Sequence, residues 1–475
     1  MVFNSVHFLV FFQIVLIVYW SLRRSTALRI GFLLAASYYF YMSWNVAYAS
    51  LILGSTLLDF FVARAMHSSA NQPRRRLLLL SSLTGNLGVL FVFKYYNFFV
   101  TNVANVTGWG GEAGGSGLHA LLLPIGISFY TFQTLSYTID VYRGRLIPER
   151  SFLKFALFVS FFPQLVAGPI VRSSHFLPQL EREPRFDDRA AESGLARVLL
   201  GLFKKICIAD VLGTALVDPV FADPAACSSS ILLLSMYGYA FQIYYDFSGY
   251  SDIAIGAARM LGFDLPVNFN RPYLATSVGD FWRRWHISLS TWLRDYLYIS
   301  LGGSRGSAWK TARNLAIVML LGGLWHGAAW GFVIWGALHG ILLGAGRLFK
   351  HTTEINPDRP GQAVSSRVAR VVVTFHLAAA CFVIFRAEDF STAVAYYTSL
   401  LSFGPGTSPV NVSALALASL LLGATLELAP RGLLAMIARA YVSVPSAVQG
   451  GIVTGCLLLF AAVGGRNTPF IYFQF

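Results

Sequence analysis

The chain has 475 residues, 56% of them hydrophobic and only 12% charged, with a formal net charge of +14. Ordinary soluble domains carry about 25% charged residues, so this composition excludes a water-facing globular enzyme. The basic residues are spread along the chain and not gathered into a groove, which excludes a nucleic-acid partner.

Long apolar runs recur in chain order at Val6–Trp20, Gly31–Trp44, Leu77–Phe93, Leu118–Tyr137, Leu315–Ile334 and Ile452–Val463. A helix needs about 20 mostly apolar residues to cross the hydrocarbon core. The runs lack the period-two alternation of a barrel. The sequence therefore predicts an all-α, polytopic membrane protein with about eleven transmembrane helices. The first run lacks a basic flank ahead of it and is followed by Arg23 and Arg24 instead of a small-residue cleavage site. It is expected to be a retained span, not a secretory signal.

Arginines cluster at Arg23, Arg24 and Arg29, at Arg64 and Arg74–Arg76, and at Arg143, Arg145 and Arg150, whereas Thr101–Gly117 has no Lys or Arg. The positive-inside rule places these clusters in the cytoplasm and the N-terminus and Thr101–Gly117 outside. Basic character returns at Arg172–Arg189, Lys204 and Lys205, Arg271–Arg313 and Arg347–Arg370. The last holds "HTTEINPDRPGQAVSSR", expected to be a flexible loop. The four cysteines have no metal or redox spacing and read as inert small hydrophobes. The chain reads as one domain over 1–475: N-terminal spans over 1–120, the chemistry over 121–349, and the loop with the last spans over 350–475.

Within that middle stretch, "FVSFFPQLVAGPIVR" (Phe158–Arg172) has Pro163, Gly168 and Pro169 inside an apolar run. Proline removes a backbone donor, and irregular backbone at membrane depth survives only inside protein or beside a water-filled cavity. A re-entrant segment is expected. "YAFQIYYDFSGYSDIAIG" (Tyr239–Gly256) sets Asp246, Ser248, Ser251 and Asp252 among apolar residues. A carboxylate at a helix centre costs roughly 2.5–3.5 kcal/mol on insertion scales, so these face the bundle interior, in an ion pair, a cap or a pocket.

"FWRRWHISLSTWLRDYLYI" (Phe281–Ile299) reads as one amphipathic helix at the cytoplasmic interface. At 100° per residue, Trp282, Trp285, Leu289, Trp292, Leu293, Tyr296 and Ile299 share a face. Arg283, Arg284, Thr291, Arg294 and Asp295 oppose them, with His286 at the apolar edge. Ser277 and Asp280 offer a capping box, and Gly302-Gly303 a stop. "LLGGLWHGAAWGFVIWGALHG" (Leu320–Gly340) reads as an uncharged span holding His326 among small residues, with His339 on another face. An ionisable residue at that depth is a functional candidate. No zinc, Walker, GxSxG or GxGxxG signature accompanies these histidines. A histidine in an apolar site is neutral. It is then a competent base for a hydroxyl attacking an activated acyl group.

"FWRRWHISLSTWLRDYLYISLGGSR", "QIYYDFSGYSDIAIG", "FFPQLVAGPIVR", "GLWHGAAWGFVIWGALHG" and the terminal "FIYFQF" resemble the membrane-bound O-acyltransferases, in their bacterial alginate O-acetyltransferase branch. The resemblance runs nearly end to end. It implies a multi-helix core with two histidines in a tunnel across a bacterial inner membrane. His326, within Trp325-His-Gly327, matches the catalytic histidine, and His286 matches the family's second site histidine, asparagine or aspartate. It implies no bound cofactor and no metal. The donor substrate would be acetyl-CoA or another acyl thioester from the cytoplasm. The partners would be membrane lipid, periplasmic acetyltransferase proteins and a polysaccharide acceptor. Asp246, Ser248, Asp252, Trp325, Arg283 and Arg284 are the substrate-binding candidates. The rival readings are D-alanyl transfer from a carrier protein to a cell-wall polymer, a transporter, and a structural scaffold that leaves His326 unexplained.

Overall fold

The computed structural model describes residues 1–108, 123–183, 185–348, 364–407, 410–430, 432–463 and 469–471. Among them the regular structure is helical, with no strand. Most of Thr101–Gly117 and of the expected flexible loop lies outside the described residues. The backbone divides into two compact units, residues 1–195 with 254–266, and residues 196–253 with 267–475.

The first unit opens with α1 (Val6–Ser21), α2 (Thr26–Met42), α3 (Ala49–His67), α4 (Gln72–Leu90) and α5 (Tyr96–Thr107), continues with α6 (Ile127–Tyr142) and α7 (Phe152–Ser160), and ends in the short α8 (Phe162–Leu165) and α9 (Ser173–Phe176). Serines cap α1, α2 and α7, and Asn71 caps α4, each satisfying an amide that the first turn leaves unpaired. Phe11, Phe40 and Phe162 pack ring to ring at 5.3–5.9 Å. The expected break at Phe158–Arg172 is present. The chain leaves α7 at Phe161 and turns again after α8. Its freed backbone groups are satisfied by side chains: Gln164 donates to the Phe158 carbonyl at 2.8 Å, and the Phe162 amide donates to Ser37 at 3.1 Å. On α3, the wholly buried Asp59 accepts from Ser82, from Asn86 at 2.9 Å and from Thr138 at 2.9 Å. One carboxyl group thus ties α3, α4 and α6.

The second unit holds the second half of α10 (Asp188–Phe203), α11 (Asp218–Ala222) and most of α12 (Ser229–Met260). It continues through α13 (Val278–Arg284), α14 (Ile287–Trp292), α15 (Ala308–His326) and α16 (Trp330–Leu348). It closes with α17 (Val364–Arg386), α18 (Phe390–Leu401), α19 (Ala414–Leu428), α20 (Leu433–Ser443) and α21 (Ser446–Val463). Two expected elements are corrected. The run Leu315–Ile334 is not one span, because Gly327 is extended and Ala328-Ala329 turn the chain. It is the end of α15 and the start of α16, and His326 is the last residue of α15. Phe281–Ile299 is not one helix either: it breaks between α13 and α14 at Trp285-His286 and widens to a π-turn at Leu293–Tyr298. Its start and stop are as expected, with Ser277 capping the Asp280 amide at 3.1 Å and both Gly302 and Gly303 at positive φ.

Five helical stretches among the described residues are long and apolar enough to cross a membrane: Ala49–His67, Gln72–Thr107, Trp330–Leu348, Val364–Arg386 and Ser446–Val463. Val6–Ser21 and Ala414–Leu428 are shorter apolar helices. Of the apolar runs read from the sequence, Leu315–Ile334 is divided by an internal break.

The hairpin of α15 and α16 sets the position of His326. Gly336, Gly340 and Gly344 recur every fourth residue and form one stripe of α16. A Cβ on Gly336 would lie 2.4 Å from the Met319 carbonyl oxygen, and one on Gly340 would lie 2.9 Å from the Ala316 Cα. Gly323 on α15 faces this stripe, with the Phe332 carbonyl 2.2 Å from where its Cβ would be. Small residues at these positions allow the backbones to touch. Gly340→Leu should therefore force the pair apart and cost about 1–3 kcal/mol or more, seen as a lower melting temperature in detergent. Gly346→Leu, whose added Cβ would meet nothing within 4 Å, should melt as the wild type does.

Candidate active site

His286 stands at the break between α13 and α14 with φ 43° and ψ 55°. This left-handed conformation costs a non-glycine residue about 1 kcal/mol or more. It is held by flanking backbone bonds, Asn270 N to Arg284 O and Ile287 N to Asn268 O, both 2.9 Å. The result corrects the helical-wheel placement. His286 is not at an edge but is wholly buried, with its ring 4.6 Å from that of Phe247. Burial pushes its pKa down to about 3, so the ring is neutral at physiological pH.

Asn268, which the sequence reading missed, decides where the His286 proton sits. The Ser288 amide and hydroxyl both donate to one Asn268 atom, at 3.2 and 2.8 Å. A backbone N–H can only donate, so that atom is Oδ1. The same oxygen lies 3.2 Å from His286 Nδ1. Nδ1 must therefore carry the hydrogen, leaving the basic lone pair on Nε2. Asn268 Nδ2 in turn donates to Ser251 at 3.3 Å. The polar run "PVNFNRPY" (Pro266–Tyr273) between two prolines was the available signal.

His326 closes α15 with 5% of its surface exposed, in an aromatic cage. Its ring lies 5.0 Å from Trp325, 5.2 Å from Trp335 and 5.3 Å from Phe385, each nearly perpendicular. The two expected site histidines meet through one indole, because Trp325 also lies 6.0 Å from His286. Beyond Trp335 stands His339, 4.8 Å away and 1% exposed. The sequence reading set His339 aside as a residue on another face. The turn at Gly327 brings it into the cluster, and its spacing of four from Trp335 puts both on one side of α16.

The other expected residues are less central. Asp246 pairs with Lys205, which also pairs with Asp210 at 2.8 Å. Asp246 also accepts the Ile471 amide at 2.8 Å, while Lys205 lies 4.6 Å from the Phe470 ring. Asp246 thus anchors the start of the terminal motif. Asp252 pairs with Arg197 at 2.8 Å and Lys204 at 2.6 Å. Ser248 is buried on the same helix. Arg284 is held by Asp280 at 3.0 Å, whereas the Arg283 side chain is 75% exposed.

Residues 143–385, just over half of the chain, match the model of MBOAT, the membrane-bound O-acyltransferase family. The chain is 39% identical to the probable alginate O-acetylase AlgI of Azotobacter vinelandii, over 93% of this chain and 94% of that protein. This chain belongs to the membrane-bound O-acyltransferase family. It is also 44% identical to the probable alginate O-acetylase AlgI of Pseudomonas aeruginosa, over 78% of this chain and 69% of the relative. A peptidoglycan O-acetyltransferase of Helicobacter pylori matches at 40% identity over 76% and 72%. A protein named teichoic acid D-alanyltransferase is more distant, at 29%. All three clustered histidines of this O-acyltransferase lie inside the family-matched stretch.

If Asn268 sets the His286 tautomer, Asn268→Leu should slow acyl transfer on the order of 10²-fold, within the range that a positioned acid–base group contributes. Acyl transfer measured at matched membrane abundance checks this; a wild-type rate would remove the role given to Asn268.

Proposed function

We propose that this protein is a multi-pass O-acetyltransferase of a bacterial inner membrane. It moves acetyl from a cytoplasmic thioester, acetyl-CoA or a similar donor, for O-acetylation of an exported polysaccharide such as alginate. The observation that carries this reading is His326, a buried imidazole caged by Trp325, Trp335 and Phe385. The names of the relatives supply the acetyl group and the polymer class.

In this reading His326 takes the proton of the attacking hydroxyl as its oxygen adds to the thioester carbonyl. The tetrahedral intermediate then collapses, the C–S bond breaks, and the imidazolium returns its proton to the leaving thiolate. The products are an acetate ester and a free thiol. Helix α15 ends at His326, and the negative end of its dipole favours the transient imidazolium, an effect of about 0.3–1 kcal/mol and up to ~2 when partly buried. The apolar rings around His326 keep water from the thioester.

His286 orients the donor or shares the proton transfer across Trp325. The donor enters from the cytoplasmic side through the passage that this reading requires, with exposed Arg283 available to its phosphates. Periplasmic acetyltransferase partners receive or complete the transfer on the other side. Asp246, Asp252 and Ser248 shape the surroundings and do not act on the acyl group.

His326→Ala should lower polysaccharide O-acetylation by about 10²–10⁴-fold in cells at matched membrane abundance, with acetate and no alanine ester on the wild-type polymer. Full acetylation in the variant would remove the assignment of His326. Alanine esters would redirect the substrate to the D-alanyl class.

A further inference from the structure

The reaction assigned to His326 needs a second element. As the hydroxyl adds, the C=O electron pair moves onto the acyl oxygen, and donors must meet that charge in a dry site. Two side chains of α16 have the right chemistry. An indole N–H only donates, so the bond from Trp282 Nε1 to His339 Nδ1, at 3.3 Å, makes Nδ1 the lone-pair nitrogen. His339 is then neutral and holds its proton on Nε2. That N–H has no hydrogen-bond partner among the described residues, although His339 is 1% exposed. Trp335 is equally buried, and its Nε1–H likewise has no acceptor among the described residues. A buried donor without an acceptor costs about 1–3 kcal/mol, and two such donors stand on rings 4.8 Å apart. The Trp335 ring is also the perpendicular neighbour of His326, at 5.2 Å and 88°.

We propose that Trp335 Nε1–H and His339 Nε2–H bind the acyl oxygen of the thioester and stabilise the oxyanion formed during transfer, with Trp282 as the positioning residue that fixes the His339 tautomer. The inference rests on the reading of His326 as base. Both donors keep their protons throughout. The oxygen gains charge as the C–O bond forms and loses it when the C=O bond returns and the C–S bond breaks. Trp282 lies 5.6 Å from Trp335 and 5.2 Å from His339, so α13 buttresses both donors. The pairing also accounts for the glycine stripe, since the close approach of α15 to α16 sets His326 against this face.

The test measures initial rates of polysaccharide acetylation in cells at matched membrane abundance, for His339→Phe, His339→Gln, Trp335→Phe and His326→Ala. Each Phe variant keeps an aromatic ring and removes one N–H. Each should slow acetylation by about 10²–10³-fold, as loss of one oxyanion donor does, while remaining folded in detergent, His339→Phe with some loss of stability because Trp282 then lacks its acceptor. His339→Gln, which restores an N–H donor, should recover much of the loss. If His339→Phe does not fold, Trp335→Phe decides by itself. Wild-type rates in the folded Phe variants, or a folded Gln variant as slow as His339→Phe, would overturn the proposal. A His326→Ala variant that keeps its rate would instead sink the base assignment, and the Phe variants are read separately from it.

Discussion

An imidazole sealed from water does chemistry only according to which nitrogen holds its proton, and the second unit fixes that choice with buried side-chain partners. Asn268 Oδ1 holds the proton of His286 on Nδ1. Trp282 occupies Nδ1 of His339 and leaves the proton on Nε2. The two rings therefore offer opposite faces of the same chemistry, a lone pair at one end of the cluster and a donor at the other. His326 lies between them, in ring contact with Trp325 and Trp335. In water such preferences would be lost to exchange with solvent. In a site of low dielectric they are strong and specific.

The backbone makes this arrangement possible at two places. At His286 the chain accepts left-handed geometry so that the ring points inward between two short helices, and the paired backbone of Asn268 and Asn270 holds it there. At Gly327 the chain turns, and the glycine stripe of α16 closes against α15. A longer side chain in that stripe would move Trp335 and His339 away from His326. One positive-φ residue and one close helix contact thus lie beside the candidate site, where departures from ideal geometry can be part of function.

Much of the plan was legible in the sequence. Composition and apolar runs gave a polytopic helical membrane protein. The helix-breaking residues of Phe158–Arg172 and the Ser277 cap stand where they were expected, whereas His326 closes a helix instead of lying inside one span. What was not legible depends on tertiary structure. A helical wheel drawn over Phe281–Ile299 assumes a straight helix, and no local residue announces that His286 adopts positive φ. The partnership of Asn268 with His286 spans 18 positions across a loop. His339 was set aside because Leu320–Gly340 was read as one rod, on which it faces away from His326. Folded at Gly327, the same residues converge. The carboxylates Asp246 and Asp252 were rightly placed in the interior, but their basic partners Lys205, Lys204 and Arg197 lie 41–55 positions away.

The assigned protons can be observed. Solid-state nitrogen NMR of the protein labelled at histidine distinguishes Nδ1–H, Nε2–H and imidazolium rings, with single His→Phe variants assigning the signals. The account predicts a neutral Nδ1–H ring at His286 and a neutral Nε2–H ring at His339 in membranes at neutral pH. The reverse tautomer at either residue, or an imidazolium at His286, would contradict it.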